Sequence, residues 1–164
     1  MRGLPLGDRK ERRNNMKKRK KIEVHYPAEP ELISSIKELE EGHFGKMYRG
    51  FEGYEIKTDK HAYALLIDDG QQCCEDFGYF SRPDDIEDFI GAELLKIEIV
   101  RSDCSVEEVE SHSQVFQADE VQLVNFVTNL GVFQLAVYNV HDGWYGHKVT
   151  FVEDKDDFWV ETIL

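Results

Sequence analysis

The chain has 164 residues, a formal net charge of -13 and 41% hydrophobic residues, which suits one domain with a core of its own and is too short for two. No apolar run approaches the roughly 20 residues of a membrane-spanning helix, so no membrane association is expected. Three cysteines, Cys73, Cys74 and Cys104, form an odd set with no spaced framework, which fits a reducing cytoplasm better than secretion.

The charge is segregated. Met1 to Lys21 holds ten Lys/Arg against Asp8 and Glu11, a net of +8, which leaves 10 basic and 31 acidic residues, or -21, for the rest. The basic stretch has almost nothing apolar to bury and cannot offset the entropy of ordering. It reads as a disordered arm over 1–21, followed by an acidic domain over 22–164. Lys17, Lys18, Arg19, Lys20 and Lys21 could contact nucleic acid by releasing counterions; a solubilising tail is the other reading. The arm also lacks the apolar stretch of a secretory signal.

From Pro30 to Glu41, Leu32, Ile33, Ile36 and Leu39 fall at i, i+1, i+4 and i+7, which predicts an amphipathic helix with Pro30 in its first turn and Gly42 at its stop. The Gly-punctuated aromatic stretch from His43 to Tyr54 reads as a loop entering a strand. Tyr54, Ile56 and Thr58 alternate with charges, and Ala62 to Ile67 is apolar throughout, so a hairpin is expected, closed by Asp68-Asp69-Gly70. Ser81 as cap and Pro83-Asp84-Asp85 then open a second short helix with Ile86, Phe89 and Ile90 on its apolar face, stopped by Gly91.

Leu95, Ile97 and Ile99 alternate against Lys96, Glu98 and Val100, a strand pattern. Ser102 to Glu120 is polar and reads as loop. Val121–Thr128 and Val132–Tyr138, joined by Asn129-Leu130-Gly131, make another hairpin; Lys148–Val152 is a further strand, and Phe158–Ile163 an edge strand. The expected fold is α+β: a mainly antiparallel twisted sheet of about six strands with two short helices.

Two segments could carry chemistry. In Gln71-Gln72-Cys73-Cys74-Glu75-Asp76 the thiols are vicinal, and on an extended backbone they point to opposite faces. A metal site would therefore need a ligand such as His141 or His147 beside Cys73 or Cys74, and a thiol enzyme would use Cys73, Cys74, Glu75 and His147. Against that, the neighbouring acids disfavour a thiolate, and no metal-ligand spacing is present. The expectation is no metal, no cofactor and no catalytic residue. The turn Asp142-Gly143-Trp144-Tyr145-Gly146-His147 either presents aromatic anchors to a partner or covers the end of the sheet. The acids Asp84, Asp85, Glu87 and Asp88 either complement a positive helix end or form a carboxylate array that imitates nucleic-acid phosphates.

Taken together, Gly53 to Asp59, Ala64-Leu65-Leu66, Gln72-Cys73-Cys74-Glu75, the acidic Asp84 to Gly91 stretch and Gly143-Trp144-Tyr145-Gly146-His147 resemble a small, largely uncharacterised domain family of bacteriophages and mobile elements. That family has a Cys-Cys-Glu step after a hairpin and a Gly-aromatic-aromatic-Gly turn. The resemblance covers about Gly53 to Val152, and His141-Asp142 departs from its usual Asn-Gly. It implies the context of a bacterial host cytoplasm and a non-catalytic inhibitor of anti-CRISPR or similar counter-defence type. The expected partner is then a protein with a basic nucleic-acid-binding surface, such as a Cas nuclease. Its expected docking residues are Glu75, Asp76, Asp84, Asp85, Glu87, Asp88, Trp144, Tyr145 and His147.

Overall fold

A computed structural model describes residues 21–39, 50–70, 76–102, 120–140, 146–154 and 159–164. They form ten strands: β1 (Lys21–His25), β2 (Glu31–Leu39), β3 (Phe51–Thr58), β4 (Ala62–Asp68), β5 (Asp76–Arg82), β6 (Glu93–Ser102), β7 (Glu120–Thr128), β8 (Gly131–Val140), β9 (Lys148–Glu153) and β10 (Trp159–Ile163). Every pairing is antiparallel. The order β10-β9-β4-β3-β2-β6-β7-β8-β5 runs through nine strands, with β1 beside β6. No helix among the described residues is long and apolar enough to cross a membrane.

The expected α+β class is therefore corrected to all-β: the antiparallel pairing stands, the strand count rises, and neither helix forms. The stretch expected as the first helix is β2, and a bulge explains why it looks helical. Ile33 pairs with Thr58 but Ser35 with Lys57, which inserts one extra residue into β2. Ile33 and Ile36 then face the same core although they are three residues apart, a spacing that a helix also produces. The second expected helix shrinks to one 3-10 turn, Ile86–Phe89. The turn ends because Ile90 is extended and the next residues bond to β2, the Gly91 amide donating to the Ile33 carbonyl at 2.7 Å and the Ile33 amide to the Ala92 carbonyl at 2.9 Å, so those backbone groups do not continue a helix.

The same device corrects β6. Leu94 pairs with Thr128 and Lys96 with Val127, so Leu95 bulges out at 41% exposure while Leu94, Ile97 and Ile99 face inward. Both expected hairpins form, as β3–β4 and β7–β8, and β10 is the expected edge strand.

Two five-stranded sheets result, β1-β6-β7-β8-β5 and β2-β3-β4-β9-β10, joined where Glu31 and Leu32 at the start of β2 pair with Leu94 and Glu93 of β6. Their inner faces share one core that includes Ile33, Ile56, Leu65, Phe126, Phe133 and Phe151. Alternation along the strands sends these large side chains inward, and burying each contributes about 1.5–3 kcal/mol. Aromatic contacts cross between the sheets: Phe126 meets Phe151 at 6.2 Å edge-on, and Tyr54 meets Tyr79 at 5.1 Å.

Candidate functional site

The stretch Pro83 to Asp88 leaves β5 and drops Ile86 into the core, which turns its polar neighbours outward. Asp84, Asp85, Glu87 and Asp88 are all exposed. Together with Glu38 and Lys37 of β2 they wall an open cleft of about 680 Å³, with Ile36, Ile86 and Ser81 also in its lining. Five carboxylates face one ammonium there, so the cleft has a negative potential that steers cations towards it. Below it Tyr54 is buried, and burial pushes its phenol up to about 12 against a hydrogen bond from Ser81, which keeps it a neutral group at neutral pH.

At the end of the sandwich formed by the β3–β4 turn lies a second polar cluster. The turn Thr58-Asp59-Lys60-His61 closes on a bond from the Thr58 amide to the His61 carbonyl at 2.8 Å. It is tied to β2 by the Leu32 amide, which donates to Asp59 at 2.9 Å. This places the His61 ring between two carboxylates that are almost wholly buried. Nδ1 lies 2.5 Å from Glu31 at the start of β2, and Nε2 lies 3.1 Å from Glu153 at the end of β9. The Thr58 hydroxyl and the Tyr63 phenol both donate to the other oxygen of Glu31, at 2.7 and 3.1 Å. His25 of β1 reaches Glu153 at 3.5 Å. Burial, then the charges of Glu31 and Glu153, hold the Tyr63 phenol far above the usual tyrosine range, so it remains a donor.

The structure thus brings together four of the expected docking residues, Asp84, Asp85, Glu87 and Asp88, and separates others from them. Asp76 starts β5 opposite Val140, five residues or roughly 17 Å along the strand from Ser81 in the cleft. His147 is 2% exposed: its Nδ1 is 2.6 Å from the Asp68 carbonyl, and its ring stacks on Phe77 at 4.2 Å. That burial removes it from a docking surface, since its alternation with Val149 and Phe151 turns it inward. Lys21, expected as the last residue of the disordered arm, instead opens β1 in register with Arg101. Glu75, Trp144, Tyr145, Cys73, Cys74, Lys17, Lys18, Arg19 and Lys20 lie outside the described residues.

The His61 cluster is not among the residues that sequence reasoning singles out. One signal for it exists: Glu153 continues the inward phase of Val149 and Phe151, a charge at a core position, which demands a partner. The partners themselves are 92 and 122 residues away along the chain and carry no local mark. Among the described residues no group of three or more His, Cys, Asp or Glu side chains is arranged to hold a metal ion.

A family model described as a domain of unknown function (DUF7448) matches residues 17–151. No curated protein and no solved structure matches the chain.

Proposed function

The chain belongs to the DUF7448 family, a domain of unknown function, and we propose that it is a non-catalytic binding protein whose acidic face occupies the basic nucleic-acid-binding surface of a partner protein. The observation that carries this reading is the presentation of Asp84, Asp85, Glu87 and Asp88, with Glu38, around one open cleft. A short stretch of chain displays four charges at the surface because a single buried residue, Ile86, anchors it. Carboxylates grouped on one short stretch attract ammonium and guanidinium groups arranged to grip phosphates. The acidic balance of residues 22–164 adds long-range attraction that salt screens beyond about 8 Å.

In the phage setting that the Cys-Cys-Glu resemblance implies, the partner is a host nucleic-acid enzyme, a Cas nuclease or another defence nuclease, met in the bacterial cytoplasm. The inhibitor acts by filling the channel that phosphates would occupy. The test is capture of bacterial lysate proteins on the immobilised chain, followed by elution with duplex DNA. The proposal expects the captured proteins to bind nucleic acid and to be released by DNA and by about 1 M salt, where the Debye length falls to about 3 Å. Retention in the presence of both competitors would overturn it.

A further inference from the structure

We infer that the open edge of β2, from Ser35 to Leu39, takes up an extended basic segment of the partner as an added strand; this rests on the acidic docking proposed above and names the form of what docks. The pairing of β2 carries it. Glu31 and Leu32 have β6 beside them, and the Ile33 amide and carbonyl are bonded to Ala92 and Gly91. From Ser35 to Leu39 the strand pairs with β3, and among the described residues no strand pairs with its other edge. Alternate residues of an antiparallel strand direct both N–H and C=O away from the partner. This stretch therefore offers a row of outward backbone groups, a template on which another strand can pair.

That edge opens on the acidic cleft. Ile36, Lys37 and Glu38 all line it. Consecutive side chains of a strand point to opposite faces, so three in a row meet one space at the edge of the strand rather than on a face. A strand added there lies about 4.8 Å from β2, on the side where Asp84, Asp85, Glu87 and Asp88 stand. In strand addition the main-chain bonds supply affinity and the side chains on alternate positions supply specificity.

The charges choose the occupant. Glu38 and the four acids of the opposite wall face Lys37 alone, so alternating arginine or lysine side chains on the added strand are attracted. A second copy of this chain would set like charges against each other, and the bulge between Ile33 and Ser35 twists the edge away from a matching copy. Basic arms that bind nucleic acid are unfolded when free, and their backbone is available to pair.

The test uses the full chain and a capped peptide of alternating arginine and valine, either unmodified, N-methylated at every arginine, or N-methylated at every valine. All three carry the same charge, but in an added strand only one of the two alternating sets of amides faces β2. One methylated form is expected to lose about tenfold or more in affinity, because several hydrogen bonds go, and the other less than about twofold. The unmodified peptide is also expected to slow hydrogen exchange at alternate amides from Ser35 to Leu39. Equal affinities for the two methylated forms, or binding without that protection, would overturn strand addition. If Asp84→Asn/Glu87→Gln/Asp88→Asn still weakens the peptide in that event, acidic docking stands without an added strand; peptide binding that this variant leaves unchanged defeats both. Should every amide from Ser35 to Leu39 already exchange slowly in the free chain, the edge is taken, by a second copy if dilution frees it, and the inference fails.

Discussion

At Gly53 the backbone of β3 adopts φ +147°, and a Cβ added there would collide with the carbonyl oxygen of Leu65 on β4. Glycine is required by both the angle and the approach. Gly53→Ala is expected to lower stability by about 3 kcal/mol or more, since strain and backbone displacement add; chemical denaturation measures it, and a loss under about 1 kcal/mol would show that the strands part easily. The residues of the cleft and of the His61 cluster differ in how readable they are for a physical reason. Asp84, Asp85, Glu87 and Asp88 lie within five residues and turn outward because charge avoids burial, so composition alone singles them out. Glu31, His61 and Glu153 come from three distant parts of the chain, and only the pairing of β4 with β9 and of β2 with β3 gathers them.

Among the elements, β2 shows how a bulge defeats pattern reading. A helix would place Leu32, Ile33 and Ile36 on one stripe, whereas the strand exposes Leu32 at 49% and buries Ile33 and Ile36 at 1% and 7%. Truncation separates the two arrangements. Ile33→Ala and Ile36→Ala are each expected to cost about 2–4 kcal/mol through the cavities they leave, and Leu32→Ala less than about 0.5 kcal/mol. Unfolding midpoints in urea report the values, and equal losses at all three positions would point to a helical stripe instead. The hairpins β3–β4 and β7–β8 were legible because their strands are apolar or alternating runs and their turns carry Thr58-Asp59 and Asn129-Leu130-Gly131. β5 escaped because Gly78 and the acids before it resemble loop, although Phe77 and Tyr79 keep the inward period of two and pack on the core. β1 escaped because only five residues, Lys21 to His25, pair with β6, a run too short for its alternation to stand out.

Over the whole molecule, two sheets close around one core, and the segment that crosses from β5 to β6 carries the acidic display on its outer side. The Proposed function depends on that display being a localised feature rather than a share of the general acidity. The affinity of a fluorescent oligoarginine peptide separates the two: it is measured for the wild type, for Asp84→Asn/Glu87→Gln/Asp88→Asn, and for Glu29→Gln/Asp69→Asn/Glu93→Gln, a control that removes equal charge from exposed positions outside the cleft lining. A cleft that docks cations loses about tenfold or more in affinity in the first variant and less than about twofold in the control, with binding abolished at about 1 M salt. Equal losses in both variants, or wild-type binding that survives the salt, would contradict docking through Asp84 to Asp88.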